Sequence, residues 1–357
     1  MTETSHVLAG RLENRARTLG TDPRSDPRMV SALGALAALD HPAGPAIAVG
    51  DGRDALLTFI ADAEQAYEGL YAALMDGVEP IEGVSRETRT IEADGHDVTL
   101  HIHRPDHTAG PLPVIYEVHG GGMVVLSATN PLYAHWRDAL AAAGALVVGV
   151  EFRNGGGVLG PHPFPAGLDD CVTGLRWVHA NLAELGGTHI VITGDSGGGN
   201  LVLALAIRAR REGWVDEIAG VYAQCPFILG TWDSPPADLT SLWENDGYLI
   251  DRGTLPLMVE VYDPGCKNVD DPTCWPSRAS VKDVTGLPPH VISANEVDPL
   301  RDEALAYHRL LLQAGVSSAG RVNLGLCHSG ELLFPASMPE VYANVVRDVI
   351  GFAHAVA

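Results

Sequence analysis

Two glycine-rich runs, and two residues far downstream of them, hold the side chains of this sequence best suited to chemistry. Gly194-Asp-Ser-Gly-Gly198 sets Ser196 between glycines two residues before and two after it, behind the apolar run His189–Thr193. A strand that turns sharply into a helix needs residues without a clashing Cβ at those places. The turn then holds the serine oxygen above the sheet, at the N-terminus of the helix that follows. A hydroxyl so placed becomes a nucleophile once a base lies beside it. His119-Gly-Gly-Gly122, directly behind Val114–Val118, is the second run. Its glycines let backbone N–H groups point into a site. Gly121 and Gly122, with the N–H of Gly197, can supply three donors to a developing oxyanion, each worth about 3–4 kcal/mol of barrier. The run lacks the lysine and spacing of a P-loop, so a phosphate cradle is set aside.

An acid and a base are expected downstream, in that order. Asp298 stands at the mouth of the apolar run His290–Ala294 and is followed by Pro299, which ends it. Asp302 falls in the first turn of the next helix, where a carboxylate suits the positive end of the helix dipole, and is read as a cap. Glu296 is the reserve acid. His328, behind Val322–Cys327 in a short Gly-containing loop, is the base. The other histidines are set aside: His101 and His103 share a strand face without a third metal ligand, His119 braces the glycine loop, and His162 lies between two prolines. Hydrolysis through an acyl-enzyme needs no metal and no organic cofactor, and none is expected.

The elements that must position these residues alternate. Thr88, Thr90, Val98, Leu100 and Ile102 show a two-residue period, predicting a hairpin turned near Asp94-Gly95. Short apolar runs follow at Val114–Val118, Ala145–Val150, His189–Thr193, Ile218–Ala223, His290–Ala294 and Val322–Cys327, as buried parallel strands require. Helical stretches separate most of them: Tyr133–Ala143, Gly167–Ala183, Asn200–Arg211 and Asp302–Ala314. The order predicts a doubly wound α/β sheet of about eight strands. Between Ala223 and His290 lie about 65 residues, too many for a structureless loop. They read as a cap insertion at about 226–288, joined over the sheet by helices from residues 1–85, expected from Leu8 onward. The catalytic domain is then 86–357, and Met123, Trp243 and Tyr248 are candidates for its pocket.

The formal net charge of −22, with no cationic block, disfavours nucleic acid and anionic membranes. The first twenty residues lack the basic and apolar regions of a signal peptide. The longest apolar stretch, Ala139 to Val150, is too short to span a bilayer, so no stable membrane insertion is expected. Five scattered cysteines without Cys-x-x-Cys spacing read as reduced thiols in a cytoplasmic protein.

Taken together, His119-Gly-Gly-Gly122, Pro163-Phe-Pro-Ala166 with Asp169-Asp170, Gly194-Asp-Ser-Gly-Gly198, Asp298-Pro-Leu-Arg-Asp302 and His328 resemble the hormone-sensitive-lipase-like (bacterial family IV) carboxylesterases. The resemblance runs from about residue 86 to the C-terminus. It implies an α/β-hydrolase fold with a helical cap, the same triad and oxyanion hole, and a small ester or lactone as substrate. A homodimer is also compatible with it. Two departures bear on substrate: Met123 stands where many members carry an aromatic residue, and Asn154-Gly-Gly-Gly157 replaces a common Leu-Ala-Pro-Glu stretch. Two other readings stand beside the esterase: an amidase or acyltransferase on the same triad, and a non-catalytic ligand-binding module.

Overall fold

The computed structural model describes residues 11, 14, 16–39, 44–108, 110–232 and 235–357. The helix expected from Leu8 therefore begins outside the described residues. Eight strands form one sheet: β1 (Val84–Glu92), β2 (Asp97–Pro105), β3 (Leu112–Val118), β4 (Leu146–Glu151), β5 (Gly187–Asp195), β6 (Gly220–Gln224), β7 (His290–Asn295) and β8 (Ser318–Asn323). Their spatial order is β1-β2-β4-β3-β5-β6-β7-β8. Only β2 runs against the rest, pairing antiparallel with both β1 and β4. The sheet is eight-stranded and mostly parallel, as the alternation of runs predicts.

Successive residues of a strand point to opposite faces, and here both faces are covered. Val114 and Tyr116, Leu146 and Val148, and Ile190 and Ile192 pack into the larger core. Their neighbours Ile115, Val147 and Val191 pack into the other. That two-sided burial explains why these strands read mainly as apolar runs. The helices are α1 (Pro27–Ala35), α2 (Arg53–Leu74), α3 (Pro131–Ala142), α4 (Ala166–Ala180), α5 (Ser196–Glu212), α6 (Ser241–Glu244), α7 (Leu255–Tyr262), α8 (Val281–Val284), α9 (Arg301–Gln313), α10 (Gly330–Leu333) and α11 (Pro339–Ala355). Helices α4, α5 and α9 cover one face of the sheet, and α3 and α11 cover the other. Helix α3 begins where its chemistry dictates: the Asn130 side chain accepts from the N–H of Leu132, and Pro131 takes the first position, where its missing donor costs nothing. Helix α2 packs on α7 and α3, above the C-terminal ends of the parallel strands. No helix among the described residues is long and apolar enough to cross a membrane.

One strand differs from its expectation. Only the first two residues of the apolar run Val322–Cys327 are strand: β8 ends at Asn323, and the ladder to β7 runs from His290–Ser318 to Asn295–Asn323. An edge strand has one bare side, and Ser318–Asn323 is largely exposed, so its polar sequence carries no buried-strand signal. The chain leaves the sheet at Leu324, which is 75% exposed, and folds into the loop that holds His328.

Candidate active site

The four chemistry-bearing segments converge at the C-terminal edge of the sheet. β5 ends at Asp195, and α5 starts on Ser196 itself, whose φ of 52° is the strained turn the flanking glycines permit. Those glycines have no room for anything else. A Cβ on Gly194 would meet the carbonyl of Gly198 at 2.5 Å, and one on Gly198 would meet the Val118 oxygen at 2.0 Å. Helix α5 therefore begins four residues before its sequence signal, on Ser196. Its first N–H groups have no partner within the helix.

Ser196 Oγ lies 2.8 Å from His328 Nε2. Nδ1 of the same ring lies 2.8 Å from Asp298 Oδ2. The other oxygen of Asp298 accepts from the N–H of Leu300 at 2.8 Å, so both of its oxygens are held. Asp298 is fully buried and His328 nearly so, while Ser196 is partly open. Burial alone would lower the His328 pKa, but the Asp298 carboxylate beside Nδ1 outweighs it and holds the imidazole well above its usual range.

The glycine loop closes on the elbow from the other side. A Cβ on Gly197 would come within 2.6 Å of the Gly122 nitrogen and 2.4 Å of the Met123 nitrogen, so the loop's amides crowd the start of α5. Gly121 and Gly122 have φ of 95° and 63°, and both line a narrow cavity with Ser196 and His328. His119 stacks on Phe152 at 4.3 Å with its Nδ1 2.8 Å from the Gly120 oxygen, and burial drives its pKa down to about 3. It is a neutral brace for the loop.

The cavity beyond Ser196 is small, about 40 Å3, and mainly apolar. Tyr67, Leu70 and Tyr71 of α2 and Leu255 and Met258 of α7 roof it, and Phe227 closes one side. The three residues first assigned to the pocket lie outside this lining. Tyr248 is turned away: its hydroxyl donates to Asp22 at 2.9 Å, and the Arg11 guanidinium covers its ring. Trp243 stacks under Arg252, whose guanidinium is 3.3 Å from the ring centroid. Met123 is buried, with its carbonyl taken by the N–H of Gly155. The apolar spacing of Tyr67 and Leu70 marks a helix face in the sequence, but nothing local says what that face covers.

The remaining acids are structural neighbours. Asp302 accepts from Thr240 Oγ1 and the N–H of Ser241, so it tethers α6 instead of capping its own helix. Glu296 accepts from the N–H of Gly325 and anchors the histidine loop. Sequence reasoning missed Asp195, buried next to Ser196, where it accepts from Ser329 Oγ at 3.0 Å and burial raises its carboxyl to about 7. A charged residue inside a glycine elbow was the available signal. Among the described residues, Cys225, Asp298 and His328 form a group with metal-ligand spacing. That group is built from the acid and base just described.

Residues 115–331 match the model of a family described by its alpha/beta hydrolase fold. The chain belongs to the α/β-hydrolase family. Within it, the protein is similar to carboxylesterase NlhH of Mycobacterium tuberculosis, at 37% identity over 65% of this chain and 70% of the relative. Among solved structures, brefeldin A esterase, described as a bacterial homologue of human hormone-sensitive lipase, superposes with a TM-score of 0.92 at 39% identity over 97% of this chain and 98% of that one. Esterase Est22 superposes with a TM-score of 0.83 at 36% identity, covering 95% and 99% of the two chains. This α/β-hydrolase thus falls in the hormone-sensitive-lipase-like branch and is a carboxylesterase.

Proposed function

We propose that the protein hydrolyses small neutral carboxylic esters through an acyl-enzyme on Ser196. The relay from Asp298 through His328 to Ser196, with both hydrogen bonds at 2.8 Å, carries the reading. Neutral His328 takes the Ser196 proton as Oγ attacks the ester carbonyl, while Asp298 fixes the ring with its proton on Nδ1. The N–H groups of Gly121, Gly122 and Gly197 receive the tetrahedral oxyanion. Protonated His328 then hands its proton to the leaving alcohol, and water repeats the sequence on the acyl-enzyme. No step calls for a metal or an organic cofactor.

Cys225 is the competing nucleophile on geometry alone, since it lies near His328. Its chemistry disfavours it. Burial pushes its thiol up to about 11, so it stays protonated, and its sulfur sits 3.4 Å from Ser329 Oγ. Ser196, not Cys225, lines the cavity.

Helix α2 and the insertion at about 226–288 serve as the cap, since they supply the roof of a cavity that the sheet alone would leave open. Its small apolar volume favours short acyl chains, because longer ones require α2 and α7 to part. An acyl series of p-nitrophenyl esters tests both points. Acetate and butanoate should exceed dodecanoate by at least about tenfold in kcat/KM, and Ser196→Ala should lose roughly 10^4- to 10^6-fold in kcat on all of them. Retention of activity by that variant would remove the serine mechanism, and a preference for dodecanoate would remove the short-chain reading.

A further inference from the structure

The Asn154-Gly-Gly-Gly157 stretch, to which the triad gives no role, lies against the loop that carries Gly121 and Gly122. Three hydrogen bonds join the two. The N–H of Gly155 donates to the Met123 oxygen at 2.9 Å, that of Gly156 to the Val124 oxygen at 3.0 Å, and Asn154 Nδ2 to the Leu126 oxygen at 2.6 Å. The loop they hold is tightly wound. Its Gly121 oxygen accepts from the N–H groups of both Val124 and Val125 at 3.0 Å, while Met123 and Leu126 have φ of 60° and 74°. Residues with a Cβ stay in that left-handed region only where their surroundings fix them.

Helix α2 supplies a further fixing contact. Ile60, Glu64, Tyr67 and Tyr71 recur at helical spacing along it, and the two tyrosines line the catalytic cavity. Glu64 is the acid in this stripe, and it is 5% exposed. Its Oε1 accepts from the N–H of Leu126 and its Oε2 from the N–H of Val158, both at 2.8 Å. One carboxyl group thus ties the cap helix to the oxyanion loop and to the end of the glycine stretch. The glycines leave room for it. A Cβ on Gly157 would lie 2.5 Å from Glu64 Oε2 and 2.6 Å from Oε1, and one on Gly156 would lie 2.8 Å from Ile60 Cγ2. A buried carboxyl is costly unless its oxygens are bonded, so its place among apolar neighbours is explained by the two amides it orients.

We propose that Glu64 is a positioning residue that fixes the oxyanion loop from the cap, so that Gly121 and Gly122 hold their N–H groups on the developing oxyanion. The inference rests on the oxyanion hole proposed above. Glu64 does not line the cavity and touches no reacting atom; it acts through Leu126, which lines the cavity with Gly121 and Gly122. Donors aimed at an oxyanion matter in the transition state and hardly at all in the bound ester. Losing their alignment therefore lowers kcat and leaves KM in place.

Glu64→Gln in the full chain is the test, since it keeps the shape and one acceptor but turns an NH2 group toward the second amide. Active sites are counted by exhaustive fluorophosphonate labelling, so misfolded molecules drop out of the comparison. Per site, kcat on p-nitrophenyl acetate should fall at least about tenfold, with KM within about twofold of wild type. Inhibition by trifluoroacetone supplies the readout that a merely structural role would not move. Ser196 Oγ adds to its carbonyl carbon, His328 takes the proton, and the carbonyl oxygen becomes an alkoxide in the oxyanion hole. Its Ki should rise by the factor by which kcat/KM falls. Gly157→Ala, which leaves Glu64 in the chain but sets a methyl where its carboxyl lies, should show the same pattern, and it decides by the same criteria if Glu64→Gln does not fold. A smaller loss of kcat per site, or a lowered kcat with an unchanged Ki, overturns the role of Glu64 and leaves the serine mechanism standing. Failure of trifluoroacetone to inhibit wild type would overturn the acyl-enzyme reading itself, and this inference with it.

Discussion

Among the described residues, two buried Asp–His pairs have nearly identical local geometry. In one, His328 Nδ1 is 2.8 Å from Asp298; in the other, His103 Nδ1 is 2.7 Å from Asp138. In both, the carboxylate holds the ring proton on Nδ1 and leaves Nε2 as the acceptor. The difference is what faces that acceptor. His328 Nε2 meets the hydroxyl of Ser196, beside a cavity. His103 Nε2 meets the guanidinium of Arg137 at 3.0 Å, which also holds Glu117 and the carbonyl of Ala128. One donor can give up its proton and the other cannot. An Asp–His pair is therefore a fixed tautomer first, and it becomes catalytic only through its third member.

The largest contrast should come from the acids. Asp298→Asn should lower kcat by about 10^4-fold with the fold intact, because the ring loses the tautomer that leaves Nε2 free. Steady-state kinetics beside a circular-dichroism spectrum would check it. A loss below tenfold would mean that Asp298 does not set the ring.

The two pairs should also respond to pH with opposite sign. The Asp298 carboxylate raises the His328 pKa against the opposing effect of burial, so the pair's stabilisation is fully present below about 6.5 and is lost as pH rises through the folded value. The same deprotonation frees Nε2, so kcat/KM should climb through a midpoint above about 6.5. For His103, burial lowers the pKa and Arg137 adds to it, outweighing Asp138. Its contribution is present above about 6.5 and falls as pH drops toward the folded value. A pH–rate profile, with melting curves at pH 5 and 8, separates the two.

A smaller effect is expected on breaking the structural pair. His103→Leu leaves Asp138 and Arg137 each short of a partner and should cost about 1–3 kcal/mol of stability. Its kcat/KM should stay within about twofold of wild type. The stability gap between this variant and wild type should narrow toward pH 5, where the native histidine is itself at a disadvantage. A rate loss comparable to that of Asp298→Asn would erase the distinction between the pairs.

The parts of this architecture legible in the sequence are those fixed locally. The central strands announce themselves because burial on both faces leaves few polar positions, and polar residues there, such as Glu117 and Thr193, are hydrogen-bonded inside the fold. The glycines at 194, 197 and 198 announce themselves because any Cβ there strikes backbone. β8 is obscured because an edge strand needs no apolar pattern. The roof is obscured because Tyr67, Leu70 and Met258 meet only through the packing of α2 on α7, which neither stretch encodes alone. Trp243 and Tyr248 look like pocket residues by type, yet cation–π contacts with Arg252 and Arg11 have already engaged them. Glu303 reads from sequence as an ordinary acid in a first helical turn, and only the tertiary fold shows that it is buried.

The central claim, that Ser196 is the nucleophile, is tested most directly by treating the intact protein with a serine-directed fluorophosphonate and mapping the adduct by mass spectrometry. One equivalent of phosphonyl group on the peptide containing Ser196, with activity lost in proportion and no labelling of Ser196→Ala, is the predicted result. An adduct on Cys225, or full activity after stoichiometric labelling, would contradict it.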